Sequence, residues 1–280
     1  MKRLMLKQIN RSVGDSWGAG CRARLIQPFK PGASTAGPSN VSYRLGKIAQ
    51  LGIVAGRWLD CGCADGGYTV ALAELGATQV VGIDILQERI ALARERARAH
   101  PAVTFLHVAP GVLPFAPATF DGILLNEVLE HVTDEVQMLQ ELHRLLRPGG
   151  YLVVMSPNRW FPFEGHGMRI GHNMINIPIP LLPWIPAIIA RHFMRARNYW
   201  PHELRELIRS TGFTIHSTGF VFPVFEVYPW LPAPVIRHYR RLVPILERTP
   251  VIRRFGVSNF IVARKPPVSE QLHSPDGASC

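Results

Sequence analysis

Asp60-Cys61-Gly62-Cys63-Ala64-Asp65-Gly66 sets a carboxylate and a run of small residues directly after the apolar Trp58-Leu59. Small residues let a backbone approach a ligand closely, and a helix that starts just beyond offers free N–H groups. Asp84 stands 24 positions after Asp60, at the end of Val80-Val81-Gly82-Ile83. A carboxylate at the end of a second strand accepts both hydroxyls of a ribose. A glycine-rich turn alone is weak evidence. The turn followed by a strand-end Asp at the spacing of a βαβ unit is specific for a nucleotide-like ligand. Without a ligand, both acids are ordinary strand-end turn residues.

Glu127, Glu130 and His131 form a second cluster. On a helix, offsets of three and four put them on one face. Two carboxylates and an imidazole there hold a divalent metal, or else supply a base or structural hydrogen bonds. Farther on, Glu164 and His166 alternate with glycine in Phe163-Glu164-Gly165-His166-Gly167. They are candidates to point into a cleft, with His166 as a second base or a further ligand. An exposed polar loop is the alternative.

These groups need a scaffold. The spacing of apolar residues predicts strands over 56–60, 79–84, 103–108, 121–126 and 150–156. Helices are predicted over 42–55, 67–76, 86–99 and 133–146. Alternation of strand and helix implies a doubly wound α/β fold with a mostly parallel sheet. Arg147-Pro148-Gly149-Gly150 reads as a helix stop that turns into a strand. The pattern breaks over 157–200, where residues 170–190 carry no Asp, Glu, Lys or Arg. That length spans a bilayer, but Pro178, Pro180, Pro183 and Pro186 argue against a membrane helix. The segment is expected to be an apolar, Pro-rich cap or an interfacial anchor. A helix then runs from Tyr199-Trp200-Pro201 to about Ser210, with final strands beginning near Gly212 and at Asn259. Residues 1–40 and 266–280 read as disordered tails around one domain over 41–265. Within it, 157–200 and 220–256 are cap, substrate or membrane-surface segments.

Charge divides the 280-residue chain. Residues 61–156 hold 6 Lys/Arg against 11 Asp/Glu, whereas residues 157–265 hold 15 against 5. The basic part, above all residues 235–255 with six arginines among Ile, Leu and Val, suits an anionic membrane surface; nucleic acid is the lesser alternative. A solvated helix packed on the core is the plain alternative. The four cysteines lack zinc-ligand spacing and make no disulfide framework in a chain this long. The basic N-terminal stretch has no sustained apolar core and does not read as a secretory signal. A cytoplasmic protein is expected, or one peripheral on the inner face of the membrane.

The chain resembles the class I S-adenosylmethionine-dependent methyltransferases, and within them the type 11 branch that includes quinone-biosynthesis enzymes. The likeness rests on Leu59-Asp60-Cys61-Gly62-Cys63-Ala64-Asp65-Gly66, Gly82-Ile83-Asp84, Leu113-Pro114-Phe115, Phe120-Asp121, Glu127-Val128-Leu129-Glu130-His131-Val132 and Leu146-Arg147-Pro148-Gly149-Gly150. It covers residues 42–160 and weakens toward 265. Ala64 departs from the family's usual Gly, and Ala109 from an Asp near the adenine.

The resemblance implies a Rossmann-like, seven-stranded sheet whose last two strands pair antiparallel at the edge. It implies S-adenosylmethionine as cofactor. Asp60, Gly62, Ala64 and Gly66 would form its turn, Asp84 would bind the ribose, and Ile85 and Ala109 would flank the adenine. Asn126 would face the methionine end. Some relatives hold a metal with a similar Glu-x-x-Glu-His run, and many hold none. The reading adopted is metal-free, with Mg2+ as the alternative.

Methyl transfer needs alignment and exclusion of water more than a base. His131, His166 and Glu164 are the candidate catalytic groups should the acceptor carry a proton. A small, lipophilic acceptor methylated on oxygen or carbon fits the apolar cap. The fourth strand ends Leu125-Asn126-Glu127, without the Pro-Pro-aromatic motif of amino-methylating nucleic-acid enzymes. An RNA methyltransferase and a non-catalytic, membrane-associated binding protein are the other readings.

Overall fold

A central strand with both faces covered must be apolar almost throughout, and Arg57–Cys61 (β1) is buried from Trp58 to Cys61. The computed structural model describes residues 38–165, 168–170, 173–175, 179–190, 192–194, 196–225 and 232–267. The tails expected over 1–40 and 266–280 lie mostly outside that range.

Helix α1 (Pro38–Ala49) precedes β1. It starts before and ends before the predicted 42–55, because Gly52 takes a left-handed φ of 63° and turns the chain toward β1. Then follow α2 (Gly67–Glu74), β2 (Gln79–Asp84), α3 (Gln87–Arg96), β3 (Val103–His107), β4 (Phe120–Asn126), α4 (Glu135–Leu145) and β5 (Leu146–Pro157). After the cap come α6 (Pro201–Ser210), β10 (Thr214–Val221), α7 (Ala233–Arg248) and β11 (Ser258–Arg264).

The seven-stranded sheet runs β10-β11-β5-β4-β1-β2-β3. Strands β1 to β5 pair in parallel, while β11 lies antiparallel between β5 and β10. The implied Rossmann-like α/β topology is therefore the observed one. Alternate residues of each strand feed two cores. Leu59, Ile123, Leu125 and Ile261 meet Leu139 and Leu142 of α4 and Leu204 and Ile208 of α6. On the other face, Trp58, Leu124, Met155 and Phe260 meet Leu45 and Ile48 of α1, Leu72 of α2 and Ile90 of α3.

The cap leaves the sheet after β5. Two short strands, β6 (Phe163–Glu164) and β9 (Ile179–Pro180), pair antiparallel around a hairpin of β7 (Met168–Ile170) and β8 (Asn173–Ile175). A 3-10 turn (Leu182–Trp184) and the four-residue α5 (Ala187–Ala190) complete it. Among the described residues no helix is long and apolar enough to cross a membrane. Arg159 pins the cap by donating to the carbonyls of Pro183 (2.9 Å) and Ile185 (2.8 Å).

Candidate functional site

The turn after β1 is strapped to the neighbouring strand. The N–H groups of Gly62 and Cys63 both donate to the Ile83 carbonyl, at 2.8 and 2.9 Å. Gly62 and Gly66 take φ values of 82° and 80°. A Cβ at Gly62 would stand 2.3 Å from the Val128 side chain, and one at Gly66 would stand 2.7 Å from the Phe105 ring. Glycine is required at both. Ala64 also takes a left-handed φ, of 48°, which strains an L residue by about 1–2 kcal/mol.

Asp84 holds this turn from the end of β2. Its carboxylate accepts from the Ala64 N–H at 3.0 Å and the Leu86 N–H at 2.9 Å. Each oxygen takes one of these donors and keeps a lone pair for a hydroxyl. Asp60 is buried and accepts the Thr69 hydroxyl at 2.6 Å. Burial pushes its carboxyl up to about 7; the Thr69 hydrogen bond opposes this, and the Asp84 charge adds to it. Asp65 closes the turn's flank through Arg96 at 2.6 Å. The thiols of Cys61 and Cys63 are buried beneath, and burial pushes both up. Ile85 is half-buried against the core, and Ala109 is exposed just past β3.

At the end of β4 the structure departs from the expectation. Glu127, Glu130 and His131 do not share a helical face. Glu127 has a left-handed φ of 55°, and only Leu129–His131 coil, as a single 3-10 turn. The cause is visible in the contacts. The Glu127 N–H continues the sheet by donating to Met155 O at 2.8 Å, and its carboxylate turns toward α1. There it meets Arg44 at 2.8 Å and accepts the Ser258 hydroxyl at 2.5 Å. The same guanidinium donates to Asn126 Oδ1 at 2.7 Å and to Ser258 Oγ at 3.0 Å. Glu130 is fully buried. Burial first, then the Glu127 charge, holds its carboxyl well above the usual range. His131 is the most exposed of the three, with Nε2 3.9 Å from Glu130 Oε1. Among the described residues no group of three or more His, Cys, Asp and Glu is arranged to hold a metal.

In the cap, Glu164 is buried and accepts from Asn198 Nδ2 at 2.5 Å. His166 lies outside the described residues.

Arg44 and Ser258 escaped the sequence reading. One signal for Arg44 was there: Val41, Leu45 and Ile48 form the apolar stripe of α1, and Arg44 sits three residues after Val41 on that same face. A cation on a buried stripe needs a buried acid. Ser258 gave no such sign, because it reaches Glu127 only through the antiparallel return of β11.

The donor set suits a cationic nucleoside cofactor. Asp60 and Asp84 stand at the carboxyl ends of β1 and β2, and beyond the end of β4 Glu127 pairs with the buried Arg44. A family model described as "Methyltransferase domain" matches residues 59–154. The chain is 32% identical over 174 residues to a ubiquinone biosynthesis O-methyltransferase of Ruegeria pomeroyi, covering 59% of this chain and 63% of that one. It is 28% identical over 123 residues to a demethylmenaquinone methyltransferase of Lysinibacillus sphaericus, covering 43% and 53%. The chain thus spans between about half and two-thirds of these two relatives. An S-adenosylmethionine-dependent methyltransferase structure from Mesorhizobium loti shares the fold with a TM-score of 0.54 at 19% identity, over 80% of this chain and 97% of that one. By motif spacing, sheet order and these likenesses, residues 59–154 carry a methyltransferase domain similar to those of the class I S-adenosylmethionine-dependent methyltransferases.

Proposed function

We propose that the protein transfers a methyl group from S-adenosylmethionine to oxygen or carbon of a small, lipophilic acceptor. The observation that carries this is the junction of Asp84 with the Gly62–Gly66 turn, where a strand-end carboxylate meets three left-handed residues. When bound, the cofactor supplies an activated methyl carbon on a sulfonium. Asp84 binds the ribose hydroxyls, with Ile85 and the backbone past Ala109 against the adenine. Asp60 orients the turn through Thr69. Asn126, locked by Arg44, sets the wall at the methionine end.

A phenolic acceptor must lose a proton. His131 is our candidate base, with Glu130 behind it as a positioning residue. His166 is the second candidate. Glu164 we assign to anchoring the cap through Asn198 rather than to chemistry. The relatives whose names refer to ubiquinone and menaquinone support a ring acceptor with an apolar tail. Phe163, Leu181, Trp184, Ile188 and Ile189 are exposed on the cap, an apolar surface that such a tail suits.

The outer face of α7 supports delivery at a membrane surface. Val235, Leu242 and Ile245 stand exposed beside the exposed Arg237, Arg241 and Arg248. The inner face is taken up by Tyr239, Val243 and Glu247, so the outer stripe is left for a partner.

Calorimetric titration of S-adenosylmethionine into the protein and its Asp84→Ala variant tests the core of the reading. Binding weakened at least tenfold in the variant, followed by methyl transfer to prenylated phenols, is the expected result. Equal binding by both proteins overturns it.

A further inference from the structure

We propose that a second, separate cleft binds a phosphate ester. It has a volume of about 280 Å3 and lies between α6, the end of β10 and the 3-10 turn Ile252–Phe255 that leads into β11. Arg205, Arg253, Arg254 and His202 line it, together with Trp160 and Asn259, and no acidic side chain does. Among the described residues, none of the three arginines has an ion-pair partner.

Two buried polar atoms in this lining stand without a hydrogen-bond partner. One is Arg205 Nε, a donor; the other is Asn259 Oδ1, an acceptor on a side chain only 1% exposed. The orientation of the Asn259 amide is fixed, because its Nδ2 donates to Pro157 O at 3.3 Å and Tyr199 O at 3.1 Å. Its Oδ1 is therefore the end left for the cleft. Leaving a buried donor and a buried acceptor unmade is costly, and one ligand recovers both. An anionic oxygen satisfies Arg205 Nε, and Arg253 and Arg254 add charge; a hydroxyl beside that anion satisfies Asn259 Oδ1. A bare carboxylate or a fully ionised phosphate has no donor for the amide. A phosphate monoester or diester flanked by a hydroxyl, the pattern of glycerol phosphate, has both.

Ser258 and Asn259 are consecutive on β11 and project to opposite faces of the sheet. Ser258 belongs to the Arg44–Glu127 cluster. The phosphate cleft thus lies across the sheet from that cluster, and does not depend on the methyl-transfer reading.

The test is titration of sn-glycerol 3-phosphate and of inorganic phosphate into the full chain at ionic strength matched with chloride. Arg205→Gln, Arg254→Gln and the outer-face control Arg237→Gln run beside it. Saturable binding of the ester, weakened about tenfold or more in each cleft variant but not in Arg237→Gln, is expected. S-adenosylmethionine affinity should be unchanged throughout, which also reports that the variants are folded. Vesicles of phosphatidylglycerol then separate the sources. Competition with glycerol phosphate that disappears in Arg254→Gln assigns the site to a lipid headgroup, and absence of competition assigns it to a soluble ester. No saturable binding, or equal weakening by Arg237→Gln, overturns the proposal.

Discussion

The two halves of the molecule use charge in opposite ways. Between β1 and β5 three acids point inward: Asp60, Asp84 and Glu130 are at most 5% exposed, and each is held by backbone or by a neighbouring side chain. After β5 five arginines point outward: Arg237, Arg241, Arg248, Arg253 and Arg254 are all exposed. Inward acids are costly to ionise without a partner, and those that stay ionised favour a cationic ligand. Outward bases cost the fold nothing and act on partners at a distance. Arg44 is the exception that joins the halves. It is a buried cation, and it holds β4 to β11 through Glu127 and Ser258.

Removing Arg44 breaks this division most severely. Arg44→Met strands Glu127 without its counter-charge, and stability to urea should fall by about 3–5 kcal/mol at neutral pH. The deficit has a pH signature. Losing Arg44 favours protonated Glu127 in the folded state, and a carboxyl that takes up a proton more readily when folded gives stability that is lost as pH rises. The deficit should therefore shrink toward pH ~4 and grow toward pH ~8. Adding Glu127→Gln should restore part of the loss. A deficit independent of pH would show that Arg44 acts by packing alone.

The opposite outcome is expected on the outer face of α7. Replacing Arg237, Arg241 and Arg248 together by Gln should leave the urea midpoint where it is. Affinity for phosphatidylglycerol vesicles, read by co-sedimentation, should drop by up to about 3 kcal/mol, near 1 kcal/mol for each charge. An unchanged affinity removes α7 from the delivery route.

The parts legible in the sequence were those fixed by local chemistry. Strand ends at Asp60 and Asp84 follow from apolar runs that stop at a carboxylate, and the βαβ spacing follows from the length of one helix. What the sequence hid was decided by contacts distant in the chain. Glu127-Val128-Leu129-Glu130-His131 has good helical spacing, yet the Glu127 N–H completes a ladder with β5, and Arg44 from 83 residues upstream takes its carboxylate. Local spacing predicts a face only where the chain is free to coil. The phosphate cleft was hidden for the same reason. Its arginines come from α6 and from the turn before β11, and the antiparallel return alone brings them together.

Asp60 offers a subtler test of the inward half. Its folded carboxyl stands at about 7 against an ordinary value of 3.8. The sign is that of a raised acid: its contribution is fully present below pH ~4 and is lost as pH rises through about 7. Asp60→Asn keeps an acceptor for Thr69 and removes the titration. The variant's stability should be flatter than wild type across that window, by at most ~4 kcal/mol. If a cationic cofactor also senses this carboxylate, wild-type affinity for S-adenosylmethionine rises through pH 7 and the variant's does not. Parallel affinity curves would confine Asp60 to shaping the turn.

The smallest effect should come from Ala64. Its φ of 48° strains the one position in the turn where the family's usual Gly is missing. Ala64→Gly relieves that strain and keeps the N–H that Asp84 accepts. Stability should rise by about 1 kcal/mol, the strain relieved less the extra chain entropy of glycine. Cofactor affinity should change little, because the hydrogen bond that places Asp84 belongs to the backbone. A rise in affinity without a rise in stability would mean that the Ala64 methyl obstructs the ligand, and the turn would then be sterically tuned rather than merely strained.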